Sequence, residues 1–414
     1  LNFRTLNKTG EELSILGFGA MRFPLKNGRI DKAKSEEMLT YAIDNGVNLI
    51  DTAFPYHFGE SEIFLGNFLS KYPEYRDKVS ISNKLPPWDV KKSEDMYRIL
   101  NTQLNKLQTD CIDYYFIHSL TKDVWDRLLD LGILKFLDDI KESKKVKYVG
   151  FSFHDNLEGF KKIADSYNWD MCMVQYNYLD DELQAGTEGI LYAARKGMGI
   201  FIMEPLRGGN LANNVPKEIT EIFDEYTKKH KYFQKPSDWA FKWVWNNPNV
   251  TCVLSGMGSL EQLKDNIGLA NSISNPNFLN IDELEIISKA KEIFNKRMKI
   301  KCTSCNYCMP CPVGVDIPRC FEIYNSKYLF DSKSSKMEAD FKYTAQLGGV
   351  LSEPRVASKC IHCGKCLKEC PQSLPIPDLL DEVSKEFEKT GFKYKVKLFK
   401  TVAGLQKFVE KLFR

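Results

Sequence analysis

The sequence predicts an α/β protein: a (β/α)8 TIM barrel over residues 1–297, followed by a smaller, mainly helical domain over 298–414. Three observations carry that prediction. Eight short apolar runs alternate with amphipathic stretches in the first part of the chain. Each run closes on, or leads into, polar residues of kinds that do chemistry. Nine of the twelve cysteines lie beyond Lys301, so the composition changes near residue 300. A chain of 414 residues is long for one domain, and a hydrophobic fraction of 43% is ample for a large core.

Taken in order, the runs are Leu16 to Met21, Val47 to Ala53, Val79 to Leu85, Ile112 to His118, Val146 to Phe153, Met171 to Tyr178, Ile200 to Leu206 and Thr251 to Met257. Short runs rich in branched apolar residues suit strands buried on both faces. Between them lie helical patterns with cap residues. Ser93 precedes Met96, Ile99, Leu100 and Leu104; Asp155 precedes Leu157, Phe160 and Ile163; Pro236 and Ser237 precede Trp239, Ala240 and Trp243. Eight strand–helix pairs are the sequence form of a closed parallel barrel. A doubly wound sheet would carry Gly-x-Gly-x-x-Gly after its first strand, whereas Gly17-Phe18-Gly19-Ala20-Met21-Arg22 ends on arginine.

In such a barrel the site lies at the C-terminal ends of the strands, so the polar residues there converge. The second run closes on Asp51, with Tyr56 one short loop later. The third ends in Ser82, Asn83 and Lys84, the fourth in His118 and Ser119, and the fifth in Ser152, Phe153 and His154. The sixth carries Gln175 and Asn177. Singly, each is as well read as a cap, a turn residue or a satisfied core group. Together and in this order they read as a site.

These segments resemble the aldo-keto reductase family over roughly residues 1–295. The resemblance rests on Leu16-Gly17-Phe18-Gly19, Asn48-Leu49-Ile50-Asp51-Thr52-Ala53, Gly59-Glu60-Ser61-Glu62, Asp113-Tyr114-Tyr115-Phe116-Ile117-His118 and Gln175-Tyr176-Asn177. It implies a catalytic tetrad of Asp51, Tyr56, Lys84 and His118. Hydride arriving at a carbonyl carbon leaves negative charge on oxygen, which a donor must meet. Tyr56 is the implied proton donor. A free phenol has a pKa near 10, so a neighbouring cation, Lys84, favours the phenolate that Tyr56 becomes. Asp51 then holds Lys84 charged and oriented, and His118 hydrogen-bonds the substrate oxygen or shares the proton with Tyr56.

The same resemblance implies NADH or NADPH along Gly19, Met21 and Asp51, with the nicotinamide beside Ser152, Gln175 and Asn177. Met203, Pro205 and Leu206, at the end of the seventh run, are implied beside the ring as well. Met203 stands where the family often has an aromatic residue. The phosphates are expected at Gly256, Met257, Gly258 and Ser259, where Ser259 and Gln262 spell a capping box, with Gln262, Asp265 and Asn266 near the adenosine. That turn lacks the Lys or Arg usual in members that prefer NADP, so the choice between the two dinucleotides stays open.

Beyond Lys301 the cysteines form two runs. Cys302-x2-Cys305-x2-Cys308-x2-Cys311-Pro312 is one, and Cys360-x2-Cys363-x2-Cys366-x3-Cys370-Pro371 is the other. The second has bacterial ferredoxin spacing; the first is one residue short at its last interval. In that pattern the last cysteine of each run serves the other cluster. One 4Fe-4S cluster then takes Cys302, Cys305, Cys308 and Cys370, and a second takes Cys311, Cys360, Cys363 and Cys366. One zinc ion needs only four ligands, half of this set. Asp316 to Leu351, between the runs, is helical in pattern. Cys320 reads as packing, as do Cys111, Cys172 and Cys252 in their apolar runs.

A net charge of +3 gives no reason to expect nucleic-acid binding. From Gly391 to Arg414 seven Lys or Arg face Glu410 alone, a net of +6. Leu398, Val402, Leu405, Val409 and Leu412 share one face there, with Phe408 and Phe413 beside them. A helix for a membrane surface or an acidic partner is one reading, and a terminal helix docked on its own protein is the other. No window suits a membrane span, and a soluble, cytoplasmic protein is expected.

The functional expectation is an oxidoreductase that reduces a carbonyl, or oxidises an alcohol, with NAD(P)H. Its clusters pass electrons to or from a redox partner. A hydride carries two electrons and a cluster accepts one, so a flavin is the natural mediator, although no short flavin motif is present. The alternative is an electron-transfer or docking protein with structural clusters, whose barrel binds a nicotinamide or flavin without ordinary carbonyl reduction.

Overall fold

Eight parallel strands close into a barrel in chain order: β1 (Leu16–Gly19), β2 (Leu49–Asp51), β3 (Ser80–Leu85), β4 (Ile112–Leu120), β5 (Val146–Phe153), β6 (Met171–Gln175), β7 (Gly199–Met203) and β8 (Cys252–Ser255). The computed structural model describes residues 1–230, 234–302, 307–330, 332–350, 353–370 and 372–401. Each of the eight predicted runs supplies one strand. Consecutive strands are neighbours throughout, so every connection returns over the outside of the barrel.

Strand side chains alternate between the lumen and the surrounding helices, and this period of two decides what reaches the mouth. Leu49, Phe116, Met173 and Phe201 belong to one buried cluster in the barrel interior, with Leu6 and Leu13 of the N-terminal hairpin. Two residues further along the same strands come Asp51, His118, Gln175 and Met203. The barrel's apolar filling thus ends in a polar layer at the C-terminal mouth. Gly17 is required in the interior, since a Cβ there would stand 2.8 Å from Leu254 and 3.0 Å from Cys252. Outside the strands a second cluster includes Leu39, Phe68, Leu100, Trp125, Phe160 and Trp245, each 2% exposed or less. Burying such side chains contributes about 1.5–3 kcal/mol apiece.

Local caps differ from expectation by a residue. Helix Ser93–Leu107 begins on Ser93 itself, and the Asp95 carboxylate accepts from the amides of Lys91 and Lys92. Asn156, not Asp155, caps Leu157–Asp165 by accepting from Gly159, while Asp155 accepts from the Lys122 amide. In both cases an acidic side chain satisfies backbone groups outside the first helical turn. Helix Pro236–Asn246 starts on its proline, where a missing amide costs nothing.

The chain divides into two compact units, Leu1–Gly208 with Ser237–Glu283, and Gly209–Pro236 with Leu284–Arg414. Residues 209–236, between β7 and β8, therefore group with the C-terminal part rather than with the strands that flank them. Within that unit Asn210 donates to Glu338 at 3.3 Å, and Glu218 lies 3.9 Å from Arg297. The unit is mainly helical, with helices Ile317–Leu329, Lys333–Lys342 and Ile376–Phe387 around a core of Phe321, Tyr343, Leu347, Leu380 and Val383. Tyr343 stacks on Phe387 with centroids 4.4 Å apart, and its hydroxyl donates to Glu388.

Cys320 is buried in this second core, and Cys172 and Cys252 are buried in the barrel. Cys111 departs from expectation: it sits half-buried just ahead of β4. The basic tail is helical over 392–401, with Leu398 exposed and Phe399 against Phe341 at 5.3 Å. Val402, Leu405, Phe408, Val409 and Leu412, and Phe413 beyond them, lie outside the described residues, as do Cys305 and Pro371. Among the described residues no helix is long and apolar enough to cross a membrane.

Candidate active site

The mouth is organised on one buried ion pair. Lys84, 1% exposed, donates to both carboxylate oxygens of Asp51 at 2.7 Å and to the Thr52 carbonyl at 2.8 Å. Three acceptors meet the three protons of its ammonium, which removes most of the cost of burying it. Register accounts for the pairing, because Asp51 lies opposite Ser82 on β3 and Lys84 is two residues beyond, on the same face. The Ser82 hydroxyl also donates to Asp51. Burial opposes the charge on Lys84, but Asp51 and the Tyr56 phenol outweigh it, so the pKa of Lys84 is raised and it stays an ammonium.

Tyr56 sits in the loop after β2, with its ring centroid 5.0 Å from the Lys84 ammonium and 6.5 Å from the His118 ring, nearly edge-on at 81°. The expectation that Lys84 lowers the Tyr56 pKa holds only for that pair. Desolvation raises it, Lys84 lowers it, Asp51 and Glu204 raise it again, and the balance is a phenol above its ordinary value of 10. Tyr56 is therefore protonated at neutral pH. His118 is pushed well below the usual histidine pKa of 6.5 by burial, then by Lys84 and His154, so its imidazole is neutral. Its Nδ1 is buried without a protein partner. Trp88 covers it with ring centroids 5.2 Å apart.

Strained backbone gathers at the same end of the barrel. His57 and Phe58 after β2, Glu204 and Arg207 after β7, and Ser119 near the end of β4 all have φ between 49° and 56°. Left-handed non-glycine residues cost on the order of 1–3 kcal/mol each and persist where surrounding contacts fix them, as at functional loops.

The residues expected around a dinucleotide separate into two groups. Gly19 ends β1 where a Cβ would stand 3.1 Å from the Ser255 carbonyl, so β1 and β8 meet backbone to backbone. Beyond it, Gly256 and Gly258 flank buried Met257 in a turn before helix Leu260–Asn271, capped by Ser259 accepting from Gln262 at 3.2 Å. Gln262 returns its side chain to the Gly258 amide at 2.9 Å, one residue earlier than a capping box requires. Asn266 donates to the Ser255 hydroxyl and so braces the turn. A glycine-lined turn running into a helix N-terminus fits a phosphate. Arg22, absent from the sequence expectation, lies over this turn, since a Cβ on Gly256 would be 3.0 Å from its side chain; it donates to the Gly208 carbonyl. Met21 is exposed beside it, Pro205 is buried and Leu206 half-buried.

Asn177 and Gln175 have protein partners of their own. Asn177 donates to Asp180 at 3.0 Å and to the Glu204 carbonyl at 3.1 Å, and accepts from the amides of Leu179 and Asp180. Gln175 donates to Asp180 at 2.8 Å, and the Arg207 guanidinium lies 3.2 Å from the same carboxylate. Asp180, 1% exposed, is thus the hub that holds Gln175 at the mouth beside half-buried Met203, while Asn177 supports the loop. Its position, three residues past Asn177 outside any strand, gave no sequence signal. Ser152 is buried at the end of β5, opposite Met173.

In the second unit, Cys308, Cys311, Cys360, Cys363 and Cys366 line one cavity of about 270 Å³ with Tyr307, Ile361, Lys365 and Lys368. Burial raises the thiol pKa of Cys360, with Cys311 and Cys363 also acting on it; Cys366 is raised likewise by burial, then by Cys360, Cys363 and Cys311. Those four are the set expected for one cluster. Cys302 and Cys370 border the same apolar core. Four thiols of one expected set around a single cavity are the donors a 4Fe-4S cluster takes, so the residues present fit such a cluster.

A parallel barrel whose polar mouth holds a buried lysine–carboxylate pair beside a phenol belongs with the TIM-barrel oxidoreductases. This chain is a member of the aldo/keto reductase family, whose model matches residues 15–286, and the model of a 4Fe-4S dicluster domain matches residues 301–374. It is 25% identical over 303 residues to the uncharacterized oxidoreductase YrpG of Bacillus subtilis (strain 168), covering 64% of this chain and 90% of that protein. It is 22% identical over 312 residues to the NADH-specific methylglyoxal reductase of Escherichia coli (strain K12), covering 64% and 92%. The holo form of aldo-keto reductase AKR11C1 from Bacillus halodurans superposes with a TM-score of 0.58 at 21% identity, over 70% of this chain and 96% of that one, which establishes the shared fold.

Proposed function

We propose that the barrel reduces a carbonyl compound, or oxidises the corresponding alcohol, with NADH or NADPH, and that residues 298–414 carry two 4Fe-4S clusters that exchange single electrons with a redox partner. The observation that carries the reading is Lys84 held by both oxygens of Asp51 at 2.7 Å beside the Tyr56 phenol. When bound, the nicotinamide supplies a hydride and the clusters supply or accept single electrons. Everything else falls to this chain. Tyr56 gives its proton to the substrate oxygen as that oxygen gains charge, and Lys84 stabilises the phenolate left behind. Asp51 keeps Lys84 in place, and neutral His118 orients the substrate oxygen through a ring nitrogen. Gly19, Gly256, Ser259 and Arg22 would receive the phosphates, with Ser152, Gln175 and Met203 toward the ring.

Cys302, Cys305, Cys308 and Cys370 would hold one cluster, and Cys311, Cys360, Cys363 and Cys366 the other. Oxygen-sensitive clusters favour a reducing, cytoplasmic setting. Because hydride chemistry moves electrons in pairs, communication between the barrel and the clusters calls for a mediator such as a flavin. Tyr56→Phe deletes the proton donor and little else, so it should lower the kcat of carbonyl reduction by about 10²–10⁴-fold while leaving NADPH binding intact. Parent-level turnover in that variant would sink the assignment. Anaerobic addition of NADPH or NADH, with and without flavin, followed by EPR, tests the coupling. Clusters that respond to a low-potential chemical reductant but to neither nicotinamide under any flavin condition would count against it.

A further inference from the structure

Behind the Asp51–Lys84 pair lies a second buried polar chain that the proposed chemistry does not use. Glu62 is completely buried, six residues after Tyr56, in helix Glu60–Lys71. One carboxylate oxygen accepts from the Asn83 amide group at 2.9 Å, and the other from the Lys106 ammonium at 3.0 Å. Asn83 directly precedes Lys84, and its side-chain oxygen accepts from the Lys84 backbone amide at 2.8 Å. The Lys106 ammonium lies 4.5 Å from the centroid of the Phe54 ring, and a Cβ on Gly59 would stand 3.7 Å from it. It therefore lies over Phe54 and beside Gly59, at the two ends of the loop that carries Tyr56. One turn earlier on the same helix, Gln103 donates to the Lys84 carbonyl at 2.9 Å and accepts from the Tyr115 hydroxyl at 2.6 Å.

A single helix, Ser93–Leu107, thus grips the proposed cation through its backbone and the proposed acid through its loop, and Glu62 joins the two grips. An apolar residue at position 62 would fill the space at lower desolvation cost. A charge kept there is better explained by what it orients. His57 and Phe58, next to Tyr56, are both left-handed, a conformation that needs external restraint.

We infer that Glu62, with Asn83 and Lys106, is a positioning group that sets the Tyr56 phenol against Lys84. It meets neither substrate nor reacting atoms and acts through residues 54–59. The inference rests on the proposed role of Tyr56. A shift of about 1 Å in such a donor costs on the order of 10²-fold in rate.

The test uses the full chain, prepared anaerobically, with 4-nitrobenzaldehyde as probe and NADPH or NADH as reductant. Glu62→Gln keeps size and the bond to Asn83 but loses the charge that holds Lys106. It should lower kcat by about 10²-fold with little change in KM, and add no further loss in a Tyr56→Phe background. Lys106→Met should behave alike, and Lys106→Arg should restore most of the rate. Independently of turnover, amide hydrogen exchange over residues 52–59 should accelerate in Glu62→Gln while β4 stays protected. A folded Glu62→Gln protein with parent kcat and unchanged exchange overturns the inference. So does an equal further loss in the Tyr56→Phe background, which marks a general structural role. If Glu62→Gln does not fold, Lys106→Met is judged by the same readouts. If the parent does not reduce the probe, or Tyr56→Phe keeps its rate, the reading of the site fails instead, and loop exchange alone decides whether Glu62 positions it.

Discussion

The barrel mouth and the cysteine-lined cavity both keep ionisable groups away from water, and they do so in opposite ways. At the mouth the protein completes the site by itself, because the Lys84 ammonium reaches three oxygens between 2.7 and 2.8 Å. In the cavity five thiols gather with Glu369 against two lysines, Lys365 and Lys368, so ionised thiols would leave negative charge in excess. Cys360 and Cys366 are held toward the neutral thiol by burial, and the nearby Cys311 and Cys363 would repel them once ionised. Four thiolates together require cations between them. The first site is therefore built as the chain folds, while the second is finished by what it binds.

The sharpest way to break this contrast is to remove the protein's own counter-charge. Lys84→Met leaves the Asp51 carboxylate buried with the Ser82 hydroxyl beside it and no cation. Stranding one member of a buried pair costs about 3–5 kcal/mol, so the thermal unfolding of the barrel should shift down clearly. Turnover should fall by about 10²–10⁴-fold as well. Adding Asp51→Leu to Lys84→Met should recover much of the stability and none of the turnover. A Lys84→Met protein as stable as the parent would show that the mouth is not held by this pair.

The contrast also explains what could be read from the sequence. All eight strands were legible because each is a short apolar run, and the layer of Asp51, His118, Gln175 and Met203 follows from a period of two. What stayed hidden was held by side chains that reach across the fold. Asp180 gathers Gln175, Asn177 and Arg207 from a loop with no repeating pattern, and Arg22 reaches the turn at Gly256 from the other end of the barrel's sequence. Helix caps slipped by one residue where Asp95, inside its helix, serves the amides of Lys91 and Lys92, and where Asp155 serves that of Lys122. The insertion at 209–236 was hidden for the opposite reason: its helical pattern is ordinary, and only tertiary contacts assign it to the second unit.

Removing one ligand sharpens the other half of the comparison. Cys363, the exposed member of its proposed set, becomes a poor iron ligand in Cys363→Ser. Anaerobically isolated parent should carry about eight iron atoms and eight acid-labile sulfides, and the variant about half of each. The second unit should become more sensitive to proteolysis, since ligand loss at a metal site weakens the fold coupled to it, while the barrel's unfolding transition stays where it was. Zinc in place of iron in the parent, or full iron in the variant, would refute the ligand assignment.

The smallest effect bears on the mouth alone and follows from its completeness. His118 is held well below 6.5 by burial and by the fixed charge of Lys84, so protons have to overcome both to bind it. Tyr56 is held above 10, so no proposed donor changes its charge in the neutral range. The kcat/KM for an uncharged carbonyl should be flat between about pH 6 and 9. Stability carries the matching sign. Below about pH 6.5 the unfolded chain protonates this histidine while the folded chain does not, so the unfolded state binds more protons and stability falls as pH falls. His118→Asn removes that difference, and its melting temperature should depend less on pH between about 7 and 5 than the parent's. An inflection in the parent's kcat/KM near pH 6.5 that disappears in His118→Asn would mean that the imidazole takes up a proton in the working range, and that Lys84 is not the fixed neighbouring charge that the buried pair makes it.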